Sequence, residues 1–373
     1  MLDVAVLGGG VIGCVVARVL ARGGMRVGLF ERGRVGGEAS GAAAGMLGVQ
    51  SESVDAAGLR LALASRARYP ALLEALRDEV GARVEWWRPG TLWVALTAAD
   101  EAQLAARMAM LADGGAPAEA LSARRLRALE PGLSPAVRGG ALCALDARLD
   151  PVGLTAALAR SAAAAGCILY EGEEVRSVVV ERGAVAGVVT DTRRVTCSAA
   201  VNAMGAWAGR VRGLTPLPVQ PVRGQMAVVQ SPRPPFRHAV VSPRGYAVAR
   251  RDGRVLLGST REAVGFRKRV TAGGLSGILA GALELAPGLA ALPLTNSWSG
   301  LRPGTADGRP IVGRDPAVRH YVVATGHYRD GVLLAPLTAE LVAGLLRGAS
   351  SEWDEPLALS RFAGRAAVDA LTL

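Results

Sequence analysis

Asp3-Val-Ala-Val-Leu7, Gly8-Gly9-Gly10-Val11-Ile12-Gly13 and Arg26-Val-Gly-Leu-Phe30-Glu31 are the stretches that decide the fold. The first is a continuous apolar run of strand length, the second puts glycines at a strand-to-helix turn, and an apolar helix then reaches about Gly23 before a second strand ends at Glu31. This is a βαβ unit, the context in which G-x-G-x-x-G carries meaning. Gly8 permits the tight turn, Gly10 lets the backbone approach a pyrophosphate, and Gly13 lets helix and strand pack closely, while the helix N-terminus offers N–H groups and a positive dipole end. Glu31 lies eighteen residues after Gly13. A carboxylate there accepts both hydroxyl hydrogens of an adenosine ribose and repels a 2′-phosphate, so the implied ligand is FAD or NAD rather than NADP.

Outward from this unit, residues 36–47 are a run of small side chains that suits close backbone approach to an extended dinucleotide. Helical periodicity is expected over 56–80 with a break at Pro70, strands near 83–87 and 91–94, and a helix over 98–113. Strand-like runs follow at 142–145, 167–170, 175–180, 187–190 and 199–203, with a helix from Asp150-Pro151 to about 165. Between 216 and 260 the pattern becomes alternating apolar and polar, at 225–230, 246–250 and 254–258, as in an antiparallel sheet. From 297 the chain is expected to return to a loop, a strand over 321–325, a glycine-rich turn and a helix over 338–346. The fold class is α/β. A Rossmann-like nucleotide-binding domain with a parallel sheet and helices (1–84, 139–214 and 295–373) accompanies an α+β substrate-binding domain with a largely antiparallel sheet (85–138 and 215–294).

A chain of 373 residues, half of them hydrophobic and 20% charged, has material for a sizeable core and is not disordered. No apolar run approaches the roughly 18 residues of a membrane helix. With no basic flank at the start, a cytoplasmic location is expected. The net charge of +11 raises a nucleic-acid reading, yet the basic residues are spread along the chain and only Lys268 is a lysine. Solvated arginine surface, with a face that steers small anions, is the favoured alternative, and no nucleic-acid partner is expected. Cys14, Cys143, Cys167 and Cys197 show no C-x-x-C spacing and read as buried thiols; His238, His320 and His327 are far apart, so no metal is assigned.

Further blocks carry a family resemblance: Ser40 to Leu47, Val201-Asn-Ala-Met-Gly-Ala-Trp207, Gly300-Leu301-Arg302-Pro303-Gly304 and Gly326-His327-Tyr328-Arg329-Asp330-Gly331. With Gly8–Gly13 and Glu31, in this order and over almost the whole chain, they resemble the D-amino acid oxidase superfamily, and within it the glycine oxidases of thiamine thiazole biosynthesis. The resemblance implies FAD. It implies cofactor contacts at Val11, Ile12, Glu31, Arg32, Ala39, Ser40, Ala44, Gly45, Met46 and Val175, with the turn His327, Tyr328, Arg329, Asp330, Gly331, Val332 and Leu333 against the isoalloxazine. Some relatives attach flavin through a late cysteine; with none after Cys197, the FAD is expected to be non-covalent. Ala39, where the family often has a hydroxylated residue, removes one hydrogen bond to a phosphate.

The resemblance further implies Arg302, Tyr246 and Arg329 as the catalytic and substrate-binding residues. Arg302 suits an α-carboxylate because its fork pairs with both oxygens. The implied reaction takes a hydride equivalent from Cα of glycine, a small amine or a D-amino acid, giving an imine and, with O₂, H₂O₂. A homo-oligomer is compatible with this. Alternatives are a dehydrogenase passing electrons to a quinone, a flavoprotein acting on a modified tRNA base, and a non-enzymatic dinucleotide-binding module. Arg261 departs from the family's apolar residue: it either pairs with Glu262 or solvent, the favoured reading, or adds a second cation to the pocket.

Overall fold

The computed structural model describes residues 1–212 and 214–363. Positions 213 and 364–373, which the sequence boundaries give to the nucleotide-binding domain, lie outside the described residues. The expected unit opens the chain as strand Leu2–Leu7, helix Val11–Arg22 and strand Val27–Glu31. The first strand pairs in parallel with Val27–Glu31 on one side and Arg194–Asn202 on the other. Parallel pairing continues outward to Ile168–Glu171 and to Tyr321–Thr325. The central strands are buried and read as unbroken apolar runs, as a sheet covered on both faces requires. Helix Val11–Arg22 packs between helices Pro151–Ala164 and Gly331–Arg347.

The second sheet runs in the order Leu294–Gly304, Gln220–Gln230, Arg254–Gly258, Gly245–Ala249, Ala239–Ser242, Thr91–Ala95, Gly139–Cys143, Glu119–Ser122. Its pairings are antiparallel except that between Ala239–Ser242 and Thr91–Ala95. Helix Ala272–Leu285 packs on it through Ile278, Ala282 and Leu285. The α/β class and the two sheets agree with the sequence expectation.

Three local expectations change. Helix Ala56–Arg66 ends before Pro70, and Pro70 sits in the first turn of helix Tyr69–Val80, where its missing N–H is not needed. The segment expected to be a loop from 297 is the long strand Leu294–Gly304; it lies at the sheet edge, where Pro303 is tolerated. Gly139–Cys143 and Leu294–Gly304 hydrogen bond within the second sheet. The last long helix begins at Gly331 rather than 338 and carries Pro336 inside it.

An internal proline leaves the carbonyl four residues earlier without its helical donor. Here that carbonyl is Val332 O, and it accepts the hydroxyl of the buried Tyr69 instead. Ser65 bridges the next rung: its hydroxyl donates to Leu333 O at 2.7 Å and accepts from Leu337 N–H at 3.4 Å. Helix Gly331–Arg347 therefore starts directly after the glycine-rich turn, which fixes that turn beneath the cleft. Tyr69→Phe should lower unfolding stability by about 1–3 kcal/mol, the cost of an unsatisfied buried acceptor. Urea melts that superimpose on those of the parent would contradict this account of the helix.

Candidate active site

The first strand ends where its chain turns hard against a neighbour. Gly8 has φ +101°, and a Cβ there would lie 2.6 Å from Ala203 O. This closeness opens a cleft at the carboxyl ends of the parallel strands, where ligands of open α/β sheets bind. The cleft is lined at one end by Glu31, Arg32, Glu173, Glu174 and Val175, and centrally by Gly8, Gly10, Val11, Ile12, Ala39 and Ser40. It continues past Ala44, Gly45 and Met46 to Met226, Tyr246, Ser259, Arg302, His327, Tyr328, Arg329, Asp330, Gly331 and Val332.

Two expected residues lie outside the lining. Gly13 packs against Gly8, whose carbonyl a Cβ would strike, so its place is in the turn itself. Leu333 is buried in the first turn of the long helix with its carbonyl held by Ser65, facing the core rather than the cleft.

At the strand end, Glu31 Oε2 accepts from Gly9 N–H at 2.8 Å and Oε1 from Gly33 N–H at 2.9 Å. The carboxylate is thereby fixed in direction while each oxygen keeps a lone pair for another donor. Ser40 Oγ accepts from Val11 N–H at 2.9 Å at the helix N-terminus. A Cβ on Gly10 would come to 3.3 Å of that oxygen, so the glycine keeps this part of the cleft open. The buried Arg250 donates to Ala44 O at 2.6 Å and Leu149 O at 2.8 Å, and Trp298 Nε1 donates to Ala42 O at 3.1 Å. The small-residue segment is thus held from the second sheet. Arg32 pairs with Glu38 at 2.6 Å and lies 3.9 Å over Trp207, while Lys268 reaches Glu38 at 2.7 Å and Phe266 packs on Trp207. The 259–271 connection thereby clasps the two halves together beside the cleft.

At the other end Arg302 stands on the edge strand opposite Val222. Its Nη1 donates to Thr260 O at 3.1 Å and Nη2 to Ser259 Oγ at 2.7 Å. Gly224 makes room for it, since a Cβ there would collide with the guanidinium. Among the described residues no carboxylate forms an ion pair with Arg302, and burial lowers its proton affinity, with Tyr246 opposing that effect and Arg329 adding to it. Beside it Tyr246 Oη donates to Met226 Sδ at 3.0 Å, and burial pushes the phenol above its usual range.

Tyr328 takes φ +49°, which is unusual for a residue with a side chain, and its N–H donates to Pro303 O at 2.9 Å. The turn is thus tied to the strand next to Arg302. Arg329 is paired with Glu52 at 2.6 Å. Glu52 lines the same cleft and was missed from sequence, where nothing separates it from any other acidic residue near a helix. Asp330 is pushed up to about 7, first by burial and then by Glu52. Arg261 is exposed and lies outside the lining. Glu262 pairs instead with Arg223, at 2.8 Å, and this guanidinium, with Gln225 and Thr260 beside it, holds the carboxyl down at about 2. The four cysteines are buried, free and away from the cleft, and no group of metal-ligating side chains occurs among the described residues. Nor is any described helix long and apolar enough to cross a membrane.

Residues 3–345 match the family model described as FAD dependent oxidoreductase. The chain is 39% identical to a glycine oxidase of Geobacillus kaustophilus over 98% of its own length and 99% of that protein. It superposes on the crystal structure of glycine oxidase from Geobacillus kaustophilus with a TM-score of 0.93 at 38% identity, covering 97% of this chain and 99% of that one. It is also 35% identical to a bifunctional ThiO/ThiG protein of Trichormus variabilis over 92% of this chain, and spans about half of that protein, 52%.

His327 gives the turn a pH signature. Its ring is buried, with Nε2 3.0 Å from Thr338 Oγ1, and burial pushes it down to about 3 from the usual 6.5. Between those values the folded protein binds fewer protons than the unfolded chain, so this residue makes stability fall as pH falls below 6.5. Asp330 and Asp146, raised to about 7 and about 6, act in the opposite sense. His327→Gln should therefore change the slope of stability against pH between 6.5 and 5 by ~1.4 kcal/mol per pH unit relative to the parent. Parallel slopes in urea melts of the two proteins would contradict it.

Proposed function

The chain belongs to the FAD dependent oxidoreductase family, and from that premise we propose that it oxidises the Cα–N bond of glycine and small amines or D-amino acids, reducing O₂ to H₂O₂. The residues present fit the cofactor. Gly8 lets the turn close against Ala203, Gly10 leaves open space beside Ser40, the helix N-terminus at Val11–Ile12 would hold the phosphates, and Glu31 presents lone pairs to a ribose. Arg32, Ala39, Ser40, Ala44, Gly45, Met46 and Val175 complete the assigned FAD contacts, with His327 to Val332 at the flavin end. No cysteine lines the cleft among the described residues, in keeping with non-covalent FAD. The nucleotide-binding and substrate-binding domains are proposed as above, with 139–143 and 294–304 moved to the second sheet. The similarity to a ThiO/ThiG protein supports a role in supplying thiamine thiazole synthesis, and a cytoplasmic location is proposed with it.

The observation that carries this reading is Arg302: a guanidinium in the cleft whose hydrogen bonds reach only neutral acceptors. Holding that charge away from water without an anion is costly, and a bound α-carboxylate offsets the cost through two charge-assisted bonds. Tyr246 donates at present to a thioether, a weak acceptor, so its hydroxyl can turn to a carboxylate oxygen at little loss. Together the two side chains fix the acid end of the substrate and leave Cα and its amine directed along the cleft. FAD, when bound, supplies the two-electron oxidation and its transfer to O₂. The protein contributes orientation, and Arg302, Tyr246 and the Tyr328–Arg329 turn provide it.

The purified protein should be yellow and should release intact FAD on heating; flavin left on the precipitated chain would contradict non-covalent binding. Arg302→Ala should stay yellow while KM for glycine rises at least ~100-fold, the several kcal/mol expected when one partner of such a pair is removed. Arg302→Lys should recover little, since a point charge does not reproduce the fork. Parent-like kinetics in Arg302→Ala would remove the carboxylate role.

A further inference from the structure

The cleft holds two guanidinium groups at its substrate end, and they differ in one respect. Arg302 contacts Thr260 O and Ser259 Oγ, whereas Arg329 is paired with a carboxylate, Glu52 Oε1, at 2.6 Å. We propose that Glu52 masks Arg329 and so restricts the site to amines that carry a single carboxylate. The proposal rests on the assignment of Arg302 to the first carboxylate and adds the substrate class that follows from it.

Glu52 is held in place by its surroundings. Buried Asp146 accepts from Gln50 N–H at 2.7 Å and Ser51 N–H at 3.3 Å. The Gln50 side chain donates to Ala116 O and Pro117 O, each at 2.9 Å, and accepts from Leu145 N–H at 2.8 Å. On the other side of Glu52, Ser53 O accepts from Arg107 at 2.7 Å, and Asp55 pairs with Arg309 at 2.7 Å. A carboxylate between such fixed neighbours loses little freedom on pairing, unlike an exposed ion pair between two mobile side chains. Its side chain is 11% exposed against 32% for Arg329, so Glu52 is the better shielded partner.

The electrostatic consequence has a definite sign. Burial lowers the proton affinity of both arginines, yet Glu52 and then Asp330 outweigh it at Arg329, while Arg302 stays lowered. Among the described residues at this end of the cleft, a substrate with one carboxylate meets one cation without a carboxylate partner, Arg302. A second carboxylate, reaching toward Arg329, meets Glu52 as well, and the like charges repel. The second cation sought from sequence at Arg261 is thus present at Arg329, already neutralised.

The test compares a monoacid and a diacid of the same amine, sarcosine and iminodiacetate, by anaerobic flavin reduction. Acetate and succinate, titrated by perturbation of the bound-flavin spectrum, give the same comparison without turnover. Glu52→Gln, which removes charge and keeps shape, should raise the diacid-to-monoacid preference at least tenfold in both assays. Adding Arg329→Met to it should abolish the gain. An unchanged preference in yellow Glu52→Gln, or a gain that survives Arg329→Met, would overturn the proposal. Failure of the Arg302 assignment is separate, since it would show as retained acetate binding in Arg302→Ala.

Discussion

A side chain at Gly8 would run into the backbone of Ala203, 2.6 Å from its carbonyl oxygen, and the cleft depends on that absence. Because two parallel strand ends come so close, helix Val11–Arg22 begins directly behind the turn, with its N-terminus facing the open side. The same closeness brings 203–207 beside the dinucleotide path, where buried Asn202 holds Ala208 O at 2.8 Å and Met204 N–H at 3.2 Å. Trp207 can then support Arg32, and the Glu38–Lys268 pair can join the second sheet to the first. Geometry at one glycine thus propagates to the junction of two sheets.

The second organising feature is the distribution of charge. Around the cleft, Arg32, Arg223 and Arg329 are each neutralised by a nearby carboxylate, Glu38, Glu262 and Glu52. Of the described guanidinium groups that line the cleft, Arg302 is the one that bonds to neutral oxygens, so it gains most from an incoming anion. The net charge of +11 therefore says less about function than one side chain does. Most of it is surface arginine; the chemistry rests on a position.

What was legible in the sequence was whatever local pattern dictates. The βαβ unit at 3–31, the helices at 98–113 and 151–164 and the strand at 321–325 follow from periodicity, glycine placement and caps such as Asp150, which accepts from Val152 and Gly153 N–H. The parts that were not legible depend on distant partners. Leu294–Gly304 looked like a loop because Gly300, Pro303 and Gly304 are strand breakers in isolation; pairing with Gln220–Gln230 at a sheet edge overrides them. The glycine-rich turn suggests a helix only from 338, whereas Tyr69 and Ser65, more than 260 residues earlier, supply the bonds that Pro336 removes and let the helix start at Gly331. The direction of Glu52 is set by Asp146 and Gln50 through contacts that a single local window does not contain. Arg261, by contrast, was rightly expected to turn away from the pocket, although Glu262 chose Arg223 as its partner.

On the proposed function, this cleft binds FAD and a small amino acid, fixed by its carboxylate, reduces it. Mixing the yellow protein with glycine in the absence of air and following flavin absorbance tests that claim most directly. The visible band should bleach, and on admitting air it should return with one H₂O₂ formed per flavin. Colour that persists with glycine, sarcosine and D-alanine alike would contradict the account.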